Sequence, residues 1–199
     1  AILCGFLFAA VVLREQTAPA KRPARQLELP RALMVRVFFV MTLAAISSSL
    51  IFNFTTNGNG QLMTERLAGI VDDPATLGVL LAVVYTVASF AQLVVGKLID
   101  RYPLKRVYLP IVAAQVPLFL LAAQAQGWAL YAAAIGFMVF VFGAIPFVDA
   151  MIVQYVDDRM RSRVSGMRLA VSFGVSSLAV YTLGPVVKGA GFTTLLLVM

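Results

Sequence analysis

The sequence predicts an all-α, polytopic membrane bundle, and three observations carry that prediction. Apolar residues fill 61% of 199 positions and charged residues only 13%, against roughly half and a quarter in a soluble domain. The apolar residues gather in runs of about 20, the length that crosses a bilayer as a helix. The basic residues gather between those runs, and heavily only in every second gap. Strand alternation is absent from the long runs, whereas a membrane barrel needs short alternating segments.

Five complete crossings can be marked in order: Leu33–Thr55, Thr76–Val95, Val107–Ala125, Trp128–Val153 and Val164–Val187. Two shorter apolar stretches flank them, Ala1–Leu13 and Ala190–Met199. The chain opens at Ala1 without a Met and inside an apolar run, and it stops inside another. It therefore reads as cut at both ends. Ala1–Leu13 lacks a basic leader segment, so it reads as the end of a helix rather than as a signal peptide.

The connections assign sidedness. The first, Arg14 to Ala32, holds Arg14, Lys21, Arg22, Arg25 and Arg31 with Pro19, Pro23 and Pro30, and reads as an extended, solvated linker. The second, Thr56 to Ala75, has one basic residue, Arg66, and its Asn57-Gly58-Asn59-Gly60 run reads as a flexible turn. In it, Asp73-Pro74 leads into the next helix. The third, Gly96 to Arg106, holds Lys97, Arg101, Lys105 and Arg106. The fourth, at Gln126-Gly127, holds none, the fifth holds Arg159, Arg161 and Arg163, and the sixth only Lys188. With Arg36 and Arg168 just inside their helices, every basic residue except Arg66 and Lys188 belongs to an odd-numbered connection. Positive charge stays in the cytoplasm, so the odd connections are expected there. Residues 33–199 then form one helical set behind the 14–32 linker, with 1–13 belonging to a preceding helix.

Several function classes fall away. The net charge of +7 invites a nucleic-acid reading, but the charges form no basic face interleaved with aromatics. Cys4 is the only cysteine and histidine is absent, which removes Cys/His metal sites, His-dependent triads and any intrachain disulfide. No nucleotide-binding loop appears. A membrane-embedded enzyme needs convergent reactive groups at depth, and Asp149 alone does not supply them. Neither enzymatic activity nor a cofactor is expected.

Two loops carry a resemblance. Gly96-Lys97-Leu98-Ile99-Asp100-Arg101-Tyr102-Pro103-Leu104-Lys105-Arg106 resembles the signature loop of the major facilitator superfamily, G-x-L-x-D-R-x-G-R-[KR]. Gly96, Leu98, Asp100, Arg101 and Lys105 fall in register, while Pro103 and Leu104 replace the usual Gly and Arg. Tyr155 to Gly166, with Arg161, Arg163 and Gly166, resembles the family's loop after the tenth helix, with Ser162 in place of a Gly. Gly184-Pro185 resembles the usual end of the eleventh helix.

The resemblance implies the C-terminal half of a twelve-helix, two-bundle transporter, running from the end of helix six into helix twelve. It implies a solute path between bundles and alternating access by rocking. Asp100 is expected near the start of the following helix, where its charge suits the positive helix end, and Gly96 is expected to allow close backbone approach. Asp100 and Arg101 read either as a charge latch between two conformations or as a tight turn with ordinary interfacial charges. Asp149 is the one acid within an expected crossing. The resemblance implies that it pairs with Arg101 or Lys105, and rival readings make it a proton carrier or a solvated helix end.

Polar side chains inside the crossings complete the set. Thr42, Ser49, Asn53 and Asn57 share one helical face. The resemblance places that helix among those lining the cavity, which makes Ser49 and Asn53 substrate-path candidates, with interhelical hydrogen bonding as the alternative. Tyr85, Ser89 and Gln92 form a second face, for which binding and packing are equally open; Tyr85 and Gln92 join the substrate-path candidates. Gln115, before Pro117, reads as structural. Gly166, Ala170 and Gly174 read as a packing seam. The expected activity is secondary active transport of a small solute, coupled to protons or sodium, in the inner membrane. An uncoupled carrier, or a non-transporting receptor or scaffold of the same fold, is the alternative. The expected partners are the solute, the bilayer and an N-terminal bundle of the same protein, with no nucleic acid.

Overall fold

The structure is a computed structural model that describes residues 31–155 and 158–199. The expected helix end at Ala1–Leu13 and most of the Arg14–Ala32 linker lie outside those residues. Every regular element among the described residues is helical: α1 (Arg31–Arg66), α2 (Pro74–Arg101), α3 (Leu104–Gln124), α4 (Gly127–Gly143), α5 (Ile145–Tyr155) and α6 (Asp158–Val198). Four stretches are long and apolar enough to cross a membrane: Pro74–Arg101, Leu104–Gln124, Gly127–Ile152 and Ser162–Val198. The expected crossing Leu33–Thr55 is helical within α1 but is not among the four.

Two boundaries differ from the sequence expectation. The Asn57-Gly58-Asn59-Gly60 run is not a turn, because α1 continues through it to Arg66. Packing overrides the poor helix propensity of Asn and Gly there. Gly58 and Asn59 are buried, and a Cβ on Gly58 would lie 3.5 Å from Phe192. Asn57 and Thr64 also bond back to the carbonyls of Asn53 and Gly60 at 2.8 and 3.0 Å. The expected Trp128–Val153 crossing is present as the single stretch Gly127–Ile152, with one turn residue at Ala144 ahead of Pro146, whose ring nitrogen cannot donate to the preceding turn. Gly184-Pro185 does not end its helix either. α6 runs through Pro185, and the break falls at Gly191, whose φ of 74° is open to glycine at little cost.

Contacts fix the helix directions. α1 and α6 run parallel, since Ser49 meets Ser172 and Arg66 meets Thr193. α2 and α4 also run parallel: the Tyr131 hydroxyl donates to the Leu80 carbonyl, and Gly143 lies against Val95. α3 runs antiparallel to α4–α5, with Phe119 on Phe137 and Tyr108 on Phe147. Consequently α1, α3 and α6 start, and α2 and α5 finish, at one end of the bundle. Lys97, Arg101, Lys105, Arg106, Arg163 and Arg168 collect there. Arg66 and Lys188 belong to the opposite end, with Glu65, Asp72 and Asp73.

α4 occupies the middle. Leu130, Ala134, Phe137 and Met138 are fully enclosed and join Met63, Leu67, Val84 and Ala88 in the main core. A smaller cluster of Val95, Val107, Ile111, Ala144 and Phe147 closes the basic end. Gln115 is buried against α4 and donates to the Phe140 carbonyl at 3.2 Å, the satisfaction a polar group in an apolar interior needs. At the other end Asp73 caps α2, accepting from the Thr76 N–H at 2.9 Å and the Thr76 hydroxyl at 2.6 Å. Those bonds, hydroxyl first, hold its carboxyl below the ordinary aspartate range.

Candidate functional site

A polar seam joins α1 to α6. Ser49 and Asn53 are four residues apart on one helix, and Ser172 and Ser176 four apart on the other, so each pair presents one face. Because the helices run parallel, the two pairs come level. The Asn53 amide donates to the Ser176 hydroxyl at 2.8 Å and to the Ser49 carbonyl at 2.8 Å. The Ser49 hydroxyl lies 3.1 Å from that of Ser172 and 3.4 Å from that of Ser176. Both substrate-path candidates on this helix therefore lie in one hydrogen-bonded group. Ser172 and Ser176 were missed in the sequence, although their four-residue spacing inside an apolar run was a readable signal.

A second group sits between α1, α2 and α4. The Tyr85 hydroxyl donates to the Thr56 carbonyl at 2.8 Å. Its ring stands 6.2 Å from that of Phe142, which in turn meets Phe52 at 5.3 Å. Asn59 is 2% exposed, and its amide nitrogen faces the Tyr85 hydroxyl without reaching hydrogen-bond geometry. The Thr56 hydroxyl is likewise enclosed and unpartnered. Thr55, by contrast, returns its hydroxyl to the Ile51 carbonyl at 2.7 Å. Of the expected second face, Tyr85 alone bridges to another helix. Ser89 bonds back to the Tyr85 carbonyl at 2.7 Å, and Gln92 is half-buried. Nothing in the sequence marks Asn59 and Thr56 as interior, because an Asn-Gly-Asn-Gly run has the composition of a turn.

The basic end departs from expectation in four ways. Asp149 pairs with Arg168 at 2.7 Å, not with Arg101 or Lys105. The pair forms where the end of α5 meets the first turns of α6. Asp100 sits in the last turn of α2, the helix end that disfavours an acid, rather than near the start of α3. Residue 103 precedes α3, and its proline side chain has no cap to offer. Asp100, Arg101 and Lys105 are exposed, and no ion pair among the described residues includes them. Gly96 permits no close approach here, since a Cβ on it would meet nothing within 4 Å. The same holds for Gly166 and Gly174, so the expected Gly166-Ala170-Gly174 seam faces outward, without a neighbour among the described residues. Arg163 is exposed, and the side chain of Arg161 lies outside the described residues.

What the fold defines is a class: an all-helical bundle with four membrane-length apolar helices, compatible with an integral membrane protein. No family model, no curated protein and no solved structure matches this chain.

Proposed function

We propose that the chain is part of a secondary carrier that moves a small solute across the inner membrane, by alternating access between this bundle and a second one. One observation carries the reading: near mid-length, neutral polar side chains of α1 bond those of α6, and the α2 hydroxyl of Tyr85 bonds α1. Polar groups at that depth are costly unless they serve helix contact or passage. At the Ser49–Ser176 level the α1–α6 contact is made by hydrogen bonds, which exchange partners at lower cost than interlocked apolar side chains. Four helices of crossing length and basic residues gathered at one bundle end support the membrane setting, with that end in the cytoplasm.

The signature-like turn at Gly96–Arg106 supports a place in the major facilitator superfamily. Its exposed cations, Arg101 and Lys105, make no ion pair among the described residues and are available to a second bundle. The Asp149–Arg168 pair serves as a local brace at the cytoplasmic end, a structural use that leaves proton carriage to other groups.

Reconstitution of the full-length protein in proteoliposomes tests the proposal, with a solute panel and imposed proton or sodium gradients. Saturable uptake of at least one solute, stimulated by one gradient, is expected. Folded protein that takes up none would overturn the carrier reading. Single cysteines at Lys97, Lys105 and Lys188 in a Cys4→Ser background test sidedness. The first two should label from one side of the membrane and the third from the other.

A further inference from the structure

We propose that the Thr56–Asn59–Tyr85 group binds the hydroxyl or carbonyl oxygens of an uncharged, hydroxyl-rich solute. The inference rests on the carrier reading above and assigns its substrate class.

Its first support is a pair of unused hydrogen-bonding groups. The Asn59 amide nitrogen and the Thr56 hydroxyl are enclosed and have no hydrogen-bond partner among the described residues, and Asn59 is 2% exposed. Buried polar groups are almost always matched, so two unmatched ones three residues apart on one helix call for a specific occupant. Nearby hydroxyls and amides are all spoken for: Thr55 by Ile51, Asn57 by Asn53, Asn53 by Ser176. The unmatched amide hydrogens can only donate, so the occupant must offer an oxygen acceptor.

Charge then narrows the class. Residues 37–64, 74–96, 107–124, 127–148 and 169–187 contain no acid and no base. An anionic solute would meet no cation here, and a cationic one would meet amide hydrogens facing it. Charged groups taken from water need a partner of opposite sign, whereas a neutral hydroxyl or carbonyl needs only the hydrogen bonds on offer. Phe52 lies on the same α1 face as Thr56 and Asn59, four and seven residues away. With Phe142 and Tyr85 it supplies apolar ring surface beside the donors. Rings give apolar cover while a few placed polar groups fix orientation, the usual make-up of a small-molecule site.

Uptake by the full-length protein in proteoliposomes tests the assignment with four radiolabelled probes: glucose and inositol as uncharged polyols, succinate as an anion and choline as a cation. Saturable uptake of a polyol alone is expected. Asn59→Leu and Thr56→Val should each raise its KM about tenfold, the size of one lost hydrogen bond to a substrate, and Asn59→Gln should recover part of the loss. Saturable uptake of succinate or choline without a polyol would overturn the substrate class and leave the carrier reading standing. Uptake of no probe under either gradient by folded protein would overturn both. Polyol uptake with unchanged KM in the two folded variants would overturn the site and leave the pair to a structural water. If Asn59→Leu fails to fold, Thr56→Val decides, since it removes one hydroxyl at constant shape.

Discussion

The stretch Gly127–Ile152 and the helix α6 are both long and apolar enough to cross a membrane but meet the rest of the molecule differently. In the first, 47% of the membrane-length window is buried, and in the second 11%. α4 is locked by volume: Phe137 and Met138 are fully enclosed, and Gly136 and Gly143 admit Leu118 and Val95 where a Cβ would lie 3.1 and 3.2 Å away. α6 offers serines to α1, keeps Phe173 and Tyr181 68% and 79% exposed, and turns apolar side chains inward mainly beyond the Gly191 break. Close packing tolerates little change in shape, while a hydrogen-bonded seam with a bare outer face does. The contrast separates a fixed strut from an element free to shift.

The comparison breaks first, and most severely, at Phe137. Phe137→Ala should cost about 3–5 kcal/mol in detergent unfolding by removing a fully buried ring, while Phe173→Ala should stay within about 0.5 kcal/mol. Equal losses would erase the distinction. Overfilling follows: Gly143→Leu should cost about 1–3 kcal/mol by forcing Val95 aside, whereas Gly174→Leu should be tolerated by the same assay, because nothing lies within 4 Å of it.

The seam itself should be softer. A double-mutant cycle of Asn53→Leu with Ser176→Ala is expected to show coupling near 0.6 kcal/mol, the usual size for hydrogen bonds between membrane helices. Zero coupling would mean that the 2.8 Å contact contributes nothing. Asp149→Asn should cost at most about 1 kcal/mol, because Asp149 is 62% exposed and water screens its pair with Arg168.

The smallest effect belongs to the Asp73 cap. Its folded pKa is depressed by the Thr76 bonds, so its contribution is present above the unfolded value of about 3.9 and is lost as pH falls through the lower folded value. The Tm difference between wild type and Asp73→Ala should thus be constant near neutrality and shrink in acid. A difference that grows in acid would contradict the assignment.

Much of the architecture was legible along the chain. The Thr76–Val95 stretch lies within α2, the Val107–Ala125 stretch overruns α3 by one residue, and the charge alternation reappears as two unlike bundle ends. Misreadings concentrate where a local rule met a distant neighbour. Asn57-Gly58-Asn59-Gly60 has every mark of a turn, yet Phe192, more than 130 positions away, packs on Gly58 and keeps the run helical. Gly184-Pro185 looked like a stop, but a proline inside a helix removes one donor and needs no chain reversal. Arg101 and Lys105 were the nearest cations to Asp149 by family pattern, and Arg168 took the place because α5 runs into α6.

By itself the sequence determined what depends on composition and period: helices, their apolar lengths, the polar faces and the segregation of charge. Tertiary structure alone decided partnership. It placed Ser172 and Ser176 opposite Ser49 and Asn53, joined Asp149 to Arg168, and, among the described residues, gave the Gly166-Ala170-Gly174 face no neighbour and Asn59 no acceptor. Periodicity reports which side of a helix a residue occupies, but not which helix will stand beside it. That choice follows from the packing of all the helices at once.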